Sequence, residues 1–329
     1  MGLIFTILLI VGNKEDVEKI GEYIRKGMTA CTEENYRDGI KYFKMAFELD
    51  TTYAALAYNI ACCYSLLNIK DSAIIWLKKA VNLGLYMIEE APELNNIKNT
   101  PEYKALLSKA KMLLEEAKKK EWKSLVFLPE NYDPSRKYPL FIALHGYGGS
   151  PENFTRRLHK FLTEKGYVFM APYGTEVYGL KSFGWGDVKK CEEKILKEIE
   201  GVKKEYSIDE ENIILLGYSQ GGSRAFSIGL RYPEIFKGLI IAAGYFKEED
   251  VKDYLENLKG KNLKVYIMVG EKDEKVKESN IRAKEILEKY GVKVHLEIYK
   301  GVGHAFPGEP EKEIEKALEF IGGKNKKSE

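Results

Sequence analysis

The sequence predicts an α/β domain, an open and mostly parallel sheet with helices on both faces, preceded by an all-α helical-repeat domain. Three observations carry this expectation. The first third of the chain has an internal period of 34 residues. From Trp122 onward, short apolar runs alternate with helical stretches. A serine, an acid and a histidine each stand just beyond one of those apolar runs. At 329 residues the chain is long enough for two domains. The expected division is an apolar segment over 1–14, a helical domain over 15–120 and an α/β domain over 121–329.

Residues 3–11 (LIFTILLIV) form an apolar stretch. It is too short to span a bilayer as a helix and matches the length of a signal-peptide core. No Lys or Arg precedes it and no A-x-A site follows. The reading favoured is an exported or membrane-tethered protein whose signal sequence is clipped or miscalled at its start. The alternatives are a weak anchor and a buried segment of a cytoplasmic protein.

In the helical third, Gly27 aligns with Ala61, Gly39 with Ala73, Phe43 with Leu77 and Ala46 with Ala80. Small residues let two helices approach closely, and the bulky position fills the gap between them. This pattern, over about residues 20–86, resembles the tetratricopeptide repeat. The proline usual near the repeat end is replaced by Thr51 and Leu85. Thr100-Pro101-Glu102 is a cap followed by a first-turn proline, so a further helix starts there. Two repeats bury little, and a tail helix, or the following domain itself, is expected to cover their exposed end. Such repeats often bind peptides, so a peptide or protein partner is an expectation for this region.

The second part is read strand by strand. Strands are expected at 122–129, 140–146, 167–172, 212–217, 237–244, 263–270 and 292–299, and helices near 151–165, 188–206, 221–232, 275–290 and 310–322. Runs such as LFIALHG are too apolar to alternate, as in strands buried on both faces. Helices between strands imply parallel crossovers, with the site beyond the C-terminal strand ends.

The candidate residues lie at those ends. Gly217-Tyr218-Ser219-Gln220-Gly221-Gly222 joins a strand to a helix and is G-x-S-x-G in the context that gives it meaning. Ser219 is the expected nucleophile. A hydroxyl needs a base, and the chain has four histidines. His145 is expected to brace a turn, His159 to sit at the surface and His295 to alternate within a strand. His304, in GVGHAFPG after the final strand, is the expected base. The acid comes from the stretch holding Glu271, Asp273 and Glu274, and Asp273 is the choice, with its neighbours solvated. Donors for a tetrahedral oxyanion are expected from the backbone N–H of Gln220 and from the His145–Gly149 loop, assigned to Tyr147. That glycine-rich loop lacks the GK[ST] of a phosphate cradle.

Together LHGYGG, GYSQGG, GEKDEKV and GVGHAFPG resemble the phospholipase/carboxylesterase branch of the α/β-hydrolases over about residues 122–322. APYG and SFGWGD add to the likeness. The resemblance implies hydrolysis of carboxylic esters, thioesters or lysophospholipids with no cofactor and no metal, and a small ester as substrate. It also implies that Trp185 lines the acyl pocket. Polyester depolymerases and feruloyl esterases share these motifs, so the substrate does not follow from them.

Two other classes of function stand beside the esterase. A serine peptidase acting on short peptides needs a group that fixes the peptide terminus, and none is evident, Glu192 and Glu193 being the residues that could be misread as one. A non-catalytic interaction protein is disfavoured by the intact Ser, acid and His. The charge is balanced, 52 basic against 50 acidic residues for a net of +2, which gives no reason to expect nucleic acid. Cys31, Cys62, Cys63 and Cys191 match no zinc spacing and read as small core residues.

Overall fold

The computed structural model describes residues 14–89, 91–155, 158–306 and 309–322. The apolar segment 3–11 lies outside the described residues. None of the described helices is long and apolar enough to cross a membrane. The chain divides into two compact units, one running to Glu121 and including Val177–Phe183, the other comprising Trp122–Glu176 and the chain from Gly184 onward. Residues 177–183 thus group with the first unit, although in sequence they lie within the expected α/β domain over 121–329.

The N-terminal part of the first unit is helical and opens with two helical hairpins, α1 (Lys14–Thr32) with α2 (Tyr36–Leu49) and α3 (Ala54–Leu66) with α4 (Lys70–Asn82). The small and bulky positions of the 34-residue register are where the helices meet. Phe43, Ala46, Ala61, Ala73, Leu77 and Ala80 have no exposed surface. Gly27 lies against the Phe43 ring so closely that a Cβ would stand 2.6 Å from it. After a single turn of tighter helix at Pro92–Leu94, α5 (Pro101–Lys118) starts where the cap predicts. Thr100 Oγ1 accepts the Tyr103 N–H at 3.2 Å, satisfying one of the four N–H groups a helix start leaves without partners. The four cysteines are buried and unbridged.

The second unit holds a seven-stranded sheet. Its elements are β1 (Leu125–Phe127), β2 (Tyr138–Leu144), α6 (Pro151–Thr155), α7 (Leu158–Glu164) and β3 (Val168–Ala171). A two-stranded excursion follows, β4 (Glu176–Gly179) and β5 (Ser182–Gly184). Then come α8 (Val188–Glu205), β6 (Ile208–Tyr218), α9 (Gln220–Arg231), β7 (Gly238–Ala242), β8 (Lys264–Gly270), α10 (Glu274–Lys289), β9 (Lys293–Tyr299) and α11 (Pro310–Gly322). The order across the sheet is β1-β3-β2-β6-β7-β8-β9. Only β1 runs antiparallel to its neighbour.

Helices cover both faces, as expected, and the strand alternation decides which side chains go where. On one face Leu140, Ile142, Leu215, Leu239, Ile241, Val265 and Ile267 pack with α8, α9 and α10 through Ile195, Phe226 and Ile286. The intervening residues Phe141, Phe169, Ile214, Ile240 and Met268 are buried on the other face, where α7 and α11 lie. Cutting one of these buried aliphatics to Ala costs roughly 2–5 kcal/mol, because the lost transfer energy adds to the cavity left behind. β6 begins four residues earlier than the apolar run suggested, since Ile208 still pairs with Tyr138 before the register shifts at Pro139/Leu140. This central strand delivers Ser219.

The hairpin of β4 and β5 was not foreseen. Its tip belongs to the first unit, where Tyr86 N–H donates to the Tyr178 carbonyl and Leu180 N–H to the Gly84 carbonyl. Gly179 lies so close to Gly84 that a Cβ there would overlap the Gly84 carbonyl oxygen, at 1.9 Å.

Candidate active site

Ser219 stands between β6 and α9 with φ +52° and ψ −117°, a backbone conformation costly for any residue with a side chain. The turn is held from several sides. Ser219 N–H donates to the Ala242 carbonyl of β7 at 2.8 Å. The flanking glycines are there because nothing larger fits. A Cβ on Gly217 would sit 2.2 Å from the Gly221 carbonyl oxygen, and one on Gly221 would sit 2.4 Å from that of Leu144. The consequence is a half-buried hydroxyl that clears the sheet at the N-terminus of α9.

Two further strand ends bring the partners. After β9 the chain turns through Gly301, and His304 presents Nε2 to Ser219 Oγ at 2.8 Å. Its other ring nitrogen, Nδ1, is 2.5 Å from Asp273 Oδ2. Asp273 follows the end of β8, and its N–H donates to the Gly270 carbonyl at 3.2 Å. Its side chain is 13% exposed, against 37% for His304. The three groups named from the sequence therefore form one hydrogen-bonded line. The carboxylate stays shielded and the serine end stays open.

The other acids do not join that line. Glu274 is exposed. Glu271 is exposed too, but its Oε2 accepts the Gly301 N–H at 2.8 Å, and Lys272 N–H donates to the Val302 carbonyl at 2.8 Å. Glu271 is thus a brace of the loop that carries His304 rather than a merely solvated neighbour. Nothing in the spacing of three adjacent acids distinguished that brace.

Gln220 is the first residue of α9, so its N–H has no acceptor within the helix. The Gly146–Gly149 loop lies directly beside the serine, since a Cβ on Gly146 would be 3.4 Å from Ser219 Cβ. Tyr147 follows it, half-exposed at 51%. The backbone segments expected to supply oxyanion donors thus flank Ser219 from two sides.

His145 braces its turn, as expected. It is buried, Nδ1 donates to the Gly146 carbonyl at 2.7 Å, and Nε2 accepts the Gly174 N–H at 3.2 Å. Burial pushes its pKa down to about 4, so the ring is neutral. His159 is half-buried and stacks on Phe127, which departs from the expected surface position. His295 lies in β9 stacked on Tyr266. Tyr218, Phe154 and Phe306 form an aromatic group beside His304. Burial and the Asp273 charge both push the Tyr218 hydroxyl upward.

Trp185 corrects the sequence expectation. It has no exposed surface, so it cannot form a wall of an open pocket. Its indole N–H donates to the His145 carbonyl at 2.8 Å and its backbone N–H to Gln220 Oε1 at 2.9 Å. Arg224, which the sequence reading passed over, donates to the Trp185 and Gly186 carbonyls.

The central parallel sheet, the strained serine turn and the helices on both faces define an α/β-hydrolase fold. The chain belongs to the Dienelactone hydrolase family, whose model matches residues 123–321. The α/β-hydrolase part of the motif resemblance holds, and the family matched is this one. Among curated relatives, the chain is 33% identical over 135 residues to "Probable dipeptidyl-peptidase 5" of Aspergillus terreus, covering 37% of this chain. It is 27% identical over 142 residues to "Dipeptidyl-peptidase 5" of Porphyromonas gingivalis, covering 38% of this chain. The chain spans only 18% and 19% of the length of these relatives. Among solved structures, an uncharacterized protein from Bacillus cereus ATCC 10987 matches with a TM-score of 0.52 and 18% identity, covering 91% of this chain and 97% of that one. The esterase PE8 matches with a TM-score of 0.51 and 19% identity, covering 61% of this chain and all of that one. At these identities the structural likeness concerns the fold.

Proposed function

We propose that this hydrolase cleaves carboxylic esters through an acyl-enzyme on Ser219. The hydrogen-bonded line from Ser219 Oγ through His304 to Asp273 carries the reading. His304 Nε2 takes the hydroxyl proton as Ser219 attacks the ester carbonyl. Asp273 holds the imidazole in the tautomer with the proton on Nδ1 and stabilises the imidazolium that forms. The N–H groups of Gln220 and Tyr147 receive the oxyanion, and the positive end of α9 adds to their field. His304 then protonates the leaving alcohol. Water, deprotonated by the same nitrogen, attacks the acyl-enzyme, and His304 returns that proton to Ser219 Oγ as the carboxylic acid leaves. No cofactor enters this scheme.

The curated relatives' names favour a second reading, a peptidase that removes dipeptides. Such an enzyme needs an anion near the serine to hold the substrate amine. One oxygen of Glu192 is engaged elsewhere. Its Oε2 accepts from Arg231 Nη1 at 2.7 Å, and Arg231 ends α9, twelve residues after Ser219. At about 1.5 Å per residue the Arg231 backbone lies roughly 18 Å along the helix from the serine. Glu193 is exposed on α8. These positions support the ester reading.

A panel of aryl esters of rising acyl length, run beside dipeptidyl and aminoacyl anilides, tests it. The expected result is hydrolysis of the esters, with at most trace cleavage of the anilides. Dipeptidyl anilides turned over as fast as the best ester would establish the peptidase instead. For the helical region we propose a role in binding a peptide or protein partner, on the ground of its register of small and bulky positions. The apolar segment 3–11 is proposed to direct export or membrane tethering.

A further inference from the structure

Both expected oxyanion donors are backbone groups, so their spacing depends on how two chain segments are held together. One segment is the turn His145–Gly149, the other is Gln220 at the start of α9. A single residue, Trp185, bonds to both. Its indole N–H reaches the carbonyl of His145, two residues before Tyr147. Its backbone N–H reaches the side chain of Gln220.

The connection closes into a ring. The His145 imidazole accepts the Gly174 N–H. Gly174 backs onto Gly184, where a Cβ would be 2.4 Å from the Gly184 carbonyl oxygen. Gly184 leads directly into Trp185. On the far side, Arg224, one turn into α9, donates to the carbonyls of Trp185 and Gly186 at 3.3 and 2.7 Å. Every polar group of Trp185 therefore ends on an element that bears or supports an oxyanion donor. The indole itself is fully buried beside the His145 ring, with centroids 5.2 Å apart, so it is locked by packing as well as by hydrogen bonds. A phenylalanine would fill much of this space but offer no donor to His145.

We propose that Trp185 is a positioning residue, a clamp that fixes the distance between the N–H groups of Tyr147 and Gln220. This rests on the serine-hydrolase reading of the site. A donor aimed at the tetrahedral intermediate acts only in the transition state, and a small misplacement costs rate without weakening substrate binding. Loss of the clamp thus lowers kcat and leaves KM nearly unchanged.

The test uses the full chain with Trp185→Phe and Gln220→Met. The second variant removes the side-chain acceptor from a half-buried position while keeping the backbone donor, and it decides the matter if Trp185→Phe does not fold. On a small aryl ester, each variant should lose about tenfold in kcat, with KM within about twofold of wild type. Affinity for a boronic acid, which forms a tetrahedral adduct on Ser219, should fall by the same factor as kcat. The pH profile of kcat should keep its shape, because the clamp does not touch the His304–Asp273 pair. A variant with normal kcat and normal boronic acid affinity, or one with a defect in KM alone, would overturn the clamp while leaving the nucleophile standing. Ester hydrolysis that survived Ser219→Ala would overturn both readings together.

Discussion

Two glycine-flanked loops at strand ends each carry a histidine, and they behave in opposite ways. In the loop after β2, His145 is sealed from solvent, and both ring nitrogens are spent on backbone groups. In the loop after β9, His304 keeps more than a third of its side chain exposed, and its ring bonds to two side chains, one acidic and one nucleophilic. The first arrangement depresses the tendency to take a proton, since a buried imidazolium would lose its hydration. The second offers a carboxylate to receive the charge. Residue type does not separate a structural histidine from a candidate base. Partners and exposure do.

Exchange of the two histidines gives the largest expected contrast. His304→Ala should cut ester turnover by about 10⁴-fold or more with little change in melting temperature, because the side chain is only partly buried. His145→Gln should do the reverse, losing stability first and rate only through the altered turn. Turnover and thermal melting measured on both variants check this. Equal losses of rate at unchanged stability would dissolve the distinction.

Asp273→Asn should lower turnover by roughly 10⁴-fold, by analogy with the serine-protease triad, because an amide cannot stabilise the imidazolium and favours the wrong tautomer. Steady-state kinetics beside Glu271→Gln sharpen the assignment. A larger loss in Glu271→Gln than in Asp273→Asn would move the acid to Glu271.

The pH dependence of stability comes next. His145 has a folded pKa near 4 against 6.5 for the free group. Its contribution is fully present above pH 6.5. As pH falls from there towards 4, the unfolded chain takes up a proton that the folded chain refuses, and stability declines. The full span corresponds to about 3 kcal/mol. Denaturant unfolding at stepped pH should show a steeper loss for wild type than for His145→Gln over this window. Parallel curves would mean that the buried ring is not what titrates.

The smallest effect expected is that of Glu271→Gln itself. An amide oxygen can still accept the Gly301 N–H, so turnover should stay within about tenfold of wild type and stability within roughly 1 kcal/mol. Kinetics and melting on this variant measure how much the His304 loop leans on its brace.

The candidate groups of the site were legible in the sequence because each is marked locally. Ser219 sits in a strand-turn-helix pattern that only glycines can build, and Asp273 and His304 follow strands at the ends where parallel sheets place chemistry. The sheet was legible for the same reason, as runs of buried apolar residues with helices between them. What escaped depends on partners distant in the chain. Trp185 lies in a glycine-rich stretch that advertises an aromatic near the site, but its hydrogen-bond acceptor is 40 residues upstream, at His145. The β4–β5 hairpin pairs its tip with residues almost a hundred positions earlier, and no local pattern marks that pairing. Glu271 and Asp273 are both strand-end acids, and their different tasks come from which loop group each one meets. Short-range signals name the chemistry, while the supports that hold it are set by long-range contacts.

The central claim is that Ser219, activated by His304 and Asp273, forms a covalent intermediate. Treatment with a fluorophosphonate probe, followed by intact mass and peptide mapping, measures this most directly. The account predicts one adduct per chain on the peptide containing Ser219, absent in Ser219→Ala and formed far more slowly in His304→Ala and Asp273→Asn. No adduct on the folded wild-type protein, or an adduct that persists in Ser219→Ala, would contradict it.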